Sequence, residues 1–505
     1  MIRNQTTVSV SGGPFEGELF NAGNPHRSLA RNSAVAVQAF VCLLIVVAGA
    51  MFSELAPIAS IDGISWVLTA TLVWSLGSWW LMAGTLFDPY GMFMVSLFLF
   101  NAGQALLEIA GLNPLGMLGG RFDDEALVAT LYMVLLGFSF THLGALLAVR
   151  RRKAPRAATC STADGHALRR VGWILLAFSL IPSCVLLWNT TRIVMSGGYM
   201  AAYQRETSAG VAAAPEVIAM FIVPAGLLLL AGANGRRREK LTAAVVIGLH
   251  TMIQLFLGYR STAIMPACAF LWLWNACEGK IKTRWLVGVC LLMMVVAPIS
   301  RETRALAGTD RTTLEALVSA YALIENPIVS SIREIGGSMI TVAYTYVLVP
   351  STRALDYGAG YAYAGLTLLP NLFWSVHPTI ARGTASDWLI QVVDPSRAMQ
   401  RGGLGYSCIA EAYLNFGWAG VPLIMGLIGF GVASLASLGA QGDRRRLALV
   451  AVFTAFVLKF PRDEASSLIR AFVWYSWLPY AIATGMAMFG ARKAKGVVAS
   501  WADRG

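Results

Sequence analysis

The sequence predicts an all-α polytopic membrane protein with about twelve, and at most fourteen, transmembrane helices and one large segment outside the membrane. Three observations carry that prediction. Of the 505 residues, 56% are apolar and only 13% charged, with a positive mean hydropathy, whereas a soluble domain carries roughly 25% charged residues. Apolar runs long enough to cross about 30 Å of hydrocarbon recur along the whole chain, which argues for one polytopic body rather than a soluble enzyme with an anchor. Clusters of arginine and lysine fall in alternate loops, as in a chain threaded back and forth with its basic loops in the cytoplasm.

Residues 1–33 form a polar lead containing Arg27 and Arg31, expected as a cytoplasmic tail. The first run, 34–52, is too long for a signal-peptide core and follows that lead, so it reads as a retained span although Ala48-Gly49-Ala50 resembles a cleavage site. Spans are then expected at 64–86, 90–111, 126–149, 171–189, 216–234, 241–258, 262–277 and 285–300, making 34–300 a nine-span region. The pair 241–258 and 262–277, counted as two spans, can also be read as one broken helix. Three more spans, 417–438, 447–460 and 468–489, make up 417–489, and 490–505 is a second cytoplasmic tail.

Sidedness follows from the loops. After Arg27 and Arg31, positive charge gathers in RRRK at 150–153, GRRREK at 235–240, Lys280, Lys282 and Arg284, GDRRR at 442–446, and ARKAK at 491–495. All fall on one side of a twelve-span chain, so both termini should be cytoplasmic. The net charge of +12 needs no nucleic acid to explain it, because it is spread over several loops facing anionic headgroups.

Between the two membrane regions lies the segment 301–416, expected on the outer face. Its runs 336–350 and 362–376 are apolar enough to enter the bilayer. They read as interfacial or re-entrant helices, because Arg353, Asp356 and three tyrosines crowd their connection. If both cross, the total is fourteen and the sidedness is unchanged. The segment holds eight arginines (Arg301, Arg304, Arg311, Arg333, Arg353, Arg382, Arg397 and Arg401) and no lysine. Arginine suits bidentate recognition of phosphate or carboxylate, although the whole chain favours arginine over lysine, 32 to 7.

Position says more than composition. Arg301 and Arg304 follow a span directly in PISRETR, and Arg260 lies in the tight GYRST turn between two others. In PRDEASSLIR, 461–470, Arg462, Ser466 and Arg470 are spaced by four, and Arg470 lies inside an apolar run, where an ionisable group is costly and its default reading is functional. Along GGLGYSCIAEAYLNFGWAG, 402–420, Ser407, Glu411 and Asn415 also stand four apart and line one helix face. A helix entrance with its carboxylate in headgroup-level water would show the same stripe. Taken together, these outer-leaflet positions supply cations for a phosphate with one carboxylate nearby, which suits a lipid-linked phosphate substrate.

Seven cysteines show no metal or disulfide spacing, and no metal or other cofactor is expected. His142 and His250 read as ordinary hydrogen-bonded histidines within spans.

The many spans, the late outer segment, the GYRS turn and the pattern GxxxSxxAExYxNFGxxG ending at Gly420 resemble the Wzy-type oligosaccharide repeat unit polymerases of O-antigen and enterobacterial common antigen. The resemblance implies a GT-C-like, metal-independent glycosyltransferase. Its substrate would be an undecaprenyl-diphosphate-linked oligosaccharide, its place the periplasmic face of the bacterial inner membrane, and its associates a chain-length regulator and a flippase. Carried onto this chain, the pattern matches Ser407, Glu411, Tyr413, Asn415, Gly417 and Gly420. Glu411 is then the expected base, with Asp387, Asp394 and His377 as rivals. Arg260, Arg301, Arg304, Arg462 and Arg470 would hold the diphosphate. Ser407, Tyr413, Asn415, His377, Arg382, Asp387, Arg397 and Arg401 would line the glycan site. An O-antigen ligase would show the same donor logic, and only the 402–420 pattern favours a polymerase. A flippase or secondary transporter would be expected to show related halves, which are not evident.

Overall fold

The computed structural model describes residues 25–51, 60–150, 162–204, 213–279, 281–302, 313–324, 326–369, 374–439 and 443–489, and no strand occurs among them. Residues 1–24 of the first expected tail and all of the second, 490–505, therefore lie outside the described residues. Among the described residues, eight helical segments are long and apolar enough to cross a membrane: Arg31–Ala50, Ile61–Ala83, Pro89–Ile109, Asp124–Arg150, Ala163–Gln204, Ala214–Gly232, Arg237–Leu257 and Cys408–Gly439.

Four expected spans do not join that set. Arg260–Cys277 is a separate 18-residue helix, packed against Arg237–Leu257 after a turn at Gly258 (φ 93°). The chain is thus a hairpin here and not one broken helix. Thr283–Glu302 is helical over 20 residues. Arg444–Val457 is only 14 residues long, because the 3-10 turn Phe460–Arg462, with Pro461 in it, ends the run. The last run begins as Ala465–Ala471 and widens into a π-helix at Phe472–Trp477 before continuing to 489.

At the centre, Asp124–Arg150 and Cys408–Gly439 cross in close contact. Glycine permits the approach. A Cβ on Gly429 would lie 1.9 Å from the Thr141 carbonyl oxygen, and one on Gly144 2.0 Å from that of Gly426. Around this crossing one cluster gathers Tyr90, Phe93, Phe98, Phe138, Ile409 and Leu414. A second joins Leu227, Leu228, Leu230, Leu273 and Val450. Phe40, Leu44, Trp66, Val73 and Leu81, on the first two helices, are exposed, as side chains facing lipid would be. Inside the bundle, His142 pairs with Ser78 Oγ at 2.8 Å and Tyr90 Oη at 3.1 Å.

The expected run 336–350 is the second half of a helical rod. It starts as Pro327–Gly336, passes through the 3-10 turn Gly337–Met339 and continues as Ile340–Leu348. The rod packs on Pro89–Ile109 where Gly336 meets Gly103 backbone to backbone. Among its described residues the run 362–376 contributes the end of Ala359–Leu366, eight residues and about 12 Å long. Pro378–Arg382, Ala385–Val393 and Pro395–Met399 follow and bring the chain back to the 402–420 stretch.

Candidate active site

The site is built on the first two turns of Cys408–Gly439. Gly405 turns the chain into that helix at φ 76°, with Arg462 so close that a Cβ would lie 3.0 Å from its Cγ and carbonyl oxygen. The helix is interrupted at Phe416 and Gly417 (φ 63°) before it continues through the bundle. Ser407, Glu411 and Asn415 are all buried, and each engages a different element. Ser407 Oγ donates to Asn101 Oδ1 at 2.6 Å, and its N–H donates to Thr341 Oγ1 at 3.1 Å. Asn415 Nδ2 donates to the Glu411 carbonyl at 2.9 Å, while its Oδ1 accepts from the Gly360 N–H at 3.1 Å. Ser407 and Asn415 therefore fasten neighbouring segments to the turn that carries the carboxylate.

Glu411 Oε2 accepts the Ala465 N–H at 2.8 Å. That amide belongs to the PRDEASS stretch, whose Arg462 carbonyl also accepts the Tyr406 N–H at 3.2 Å. Glu464, the residue before Ala465, is a second buried carboxylate, and it is the charge acting most strongly on Glu411. Its Oε1 accepts the Ser386 N–H at 2.7 Å, which ties the start of Ala385–Val393 to this wall. Burial pushes the Glu464 carboxyl up to about 7; the Ser386 N–H opposes the shift and the Asp463 charge adds to it.

A third wall carries positive charge. Asp356, whose N–H donates to the Leu414 carbonyl at 2.9 Å, is shared by two arginines. Arg353 Nη2 lies 3.0 and 3.1 Å from its oxygens, and Arg382 Nη2 lies 2.6 Å from Oδ2. The guanidiniums sit over Trp388 and Tyr363, each 4.7 Å from the ring centroid. Two cations on one carboxylate leave this wall with a positive excess.

The other expected site residues are dispersed. Arg260 makes a two-pronged ion pair with Glu334 of the rod. Arg301 is the last residue but one of its helix, but its side chain and all of Arg304 lie outside the described residues. Arg462 Nη2 donates to the Leu404 carbonyl at 3.5 Å, at the mouth of the 402–420 turn. Arg470 is exposed. Tyr413 Oη donates to the Val349 carbonyl at 3.3 Å, within an aromatic group with Tyr346 and Trp418. His377 is held by Thr379 Oγ1 at 2.6 Å and the Leu369 carbonyl at 3.2 Å. Asp387 completes a capping box with Thr384, and Asp394 caps Pro395–Met399. Arg397 Nη2 donates to the Gly403 carbonyl at 3.0 Å, and Arg401 adopts φ 56°.

Sequence reasoning missed Glu464 as a member of the site and gave no special place to Asp356. Glu464 stood two residues from a chosen arginine, so the PRDE run was the signal for it. Arg382 reaches Asp356 across 26 residues that include two short helices, and the pairing leaves no periodic trace. No group of three His, Cys, Asp or Glu residues set to hold a metal occurs among the described residues.

Compared with known proteins, the chain matches the family model described as O-antigen polysaccharide polymerase Wzy over residues 35–490. No curated protein and no solved structure matches it.

Proposed function

The chain belongs to the Wzy family of O-antigen polysaccharide polymerases, and from that premise we propose that it joins undecaprenyl-diphosphate-linked oligosaccharide repeat units on the periplasmic face of the bacterial inner membrane. In this reading the protein is a GT-C-like, metal-independent glycosyltransferase. Its chain crosses twelve times, with both termini cytoplasmic and the 301–416 segment outside.

The observation that carries the chemistry is the buried Glu411 carboxylate, held by one backbone amide, on a helix whose Leu414 carbonyl accepts the N–H of the Asp356 that Arg353 and Arg382 share. Glu411 takes the proton of an acceptor sugar hydroxyl as that oxygen bonds to the donor's anomeric carbon. The bond from that carbon to the diphosphate oxygen breaks with its electron pair, and the prenyl diphosphate departs. A base held in a largely water-free setting suits the first event, and fixed cations suit the charge that develops in the second. Arg353 and Arg382 stand in position for that role, with Arg462 at the turn. Arg470, exposed in the last run, supplies further positive charge for a lipid-linked substrate. The basic loops support the orientation.

Deleting the gene from its host and resolving the surface glycan on a gel tests this function. A polymerase deletion should collapse the ladder to a single repeat unit on the lipid A core, and the intact gene should restore it. Loss of even the single unit would point to a ligase and overturn the reading.

A further inference from the structure

The Tyr361 hydroxyl is buried and finds no hydrogen-bond partner among the described residues. A buried donor left idle is destabilising, and this one lies within the site. Tyr361 is held there by its neighbours. The Gly360 N–H is bound by Asn415 Oδ1, at an approach so close that a Cβ on Gly360 would lie 2.9 Å from that amide. The Tyr361 ring stacks on Phe416 at the helix break, with centroids 6.2 Å apart and planes 21° from parallel. The same Asn415 amide donates to the Glu411 carbonyl, so phenol and carboxylate are fixed to one turn. Glu411 is the charge that acts most strongly on the phenol, and burial together with that charge holds the hydroxyl protonated, well above its ordinary range. Tyr361 is thus a committed donor tied to the turn that carries Glu411. The other idle buried hydroxyls among the described residues belong to serines and one threonine outside the Glu411 stripe.

We propose that Tyr361 is a second substrate-touching residue, whose O–H donates to the oxygen of the acceptor sugar hydroxyl while Glu411 takes that hydroxyl's proton. This rests on the reading of Glu411 as the base. Tyr361 gives up no proton in the step. The acceptor O–H proton passes to Glu411, the new glycosidic bond forms from that oxygen, and the leaving pair goes to the diphosphate. With only an acceptor on one side and a donor on the other, a sugar hydroxyl that both gives and receives a hydrogen bond is selected over a group that can do only one.

Tyr361→Phe separates this role from a structural one, because it keeps the ring and its stacking and deletes only the idle donor. In purified full-length protein, with a short-chain prenyl-diphosphate-linked repeat unit as both donor and acceptor, kcat/KM for chain extension should fall about 10- to 100-fold, while Tm stays level or rises. Wild-type extension, or a Tm that falls in step with activity, would overturn the proposal. Glu411→Gln run in parallel keeps the two readings apart: an active Gln variant removes the base but leaves a Tyr361→Phe defect standing as a substrate contact.

Discussion

Ser407, Glu411 and Asn415 occupy equivalent positions on successive turns, yet their atoms have different occupations. The serine and asparagine are spent on Asn101, Thr341 and Gly360, which leaves Glu411 as the ionisable member of the face. The four-residue spacing was legible in the sequence because it is a helix property. The partners were not, since they arrive from segments tens to hundreds of residues away. Ser407→Ala should therefore act on stability, costing about 1–2 kcal/mol through the orphaned Asn101 amide. A thermal melt should show the loss while glycan ladders stay of normal length per molecule of protein. Glu464 adds a pH signature. With its carboxyl pushed up to about 7 from an ordinary 4.5, the folded protein binds more protons than the unfolded chain between those values, so this contribution is full below 4.5 and is lost as pH rises through 7. Glu464→Gln should flatten the fall of Tm across that window, and an unchanged slope would show that the carboxyl titrates normally.

Among the elements, long apolar helices announced themselves and short ones did not. Hydropathy finds runs of about twenty residues, so the stretch from 378 to 399, with helices of five and nine residues capped by His377, Thr384 and Asp394, read only as part of an outer segment. The 402–420 pattern was legible as a motif, but its glycines do mechanical work that a motif does not reveal. Gly405 lets Arg462 lie against the turn, and a Cβ on Gly420 would meet the Ala412 carbonyl oxygen at 2.5 Å. The same logic governs the central crossing. Gly429→Ala should force Cys408–Gly439 away from Asp124–Arg150, costing about 1–3 kcal/mol and lowering abundance in membranes. Gly431→Ala, with nothing within 4 Å of its Cβ, should be tolerated on the same blot. Equal abundance of the two variants would show that the crossing is looser than described.

For the whole molecule, composition and loop charge were enough to establish an all-helical membrane protein and an expected orientation. The number of crossings was not equally legible, because a proline-bearing 3-10 turn and a π-widened turn divide the C-terminal apolar runs into pieces that hydropathy merges. Orientation has a direct check: a reporter fused after residue 442 should read as cytoplasmic and one placed within 380–400 as periplasmic, and finding both on one side would remove the site from the outer face. The central claim is that polymerisation depends on a proton accepted at Glu411. Its most direct measurement is glycan chain length from cells carrying Glu411→Gln, with the variant's abundance measured in the same membranes. Gln preserves shape and the bond from the Ala465 N–H but cannot take the proton, so extension should fall about 100- to 10,000-fold at normal abundance. A full-length ladder from Glu411→Gln would contradict the account.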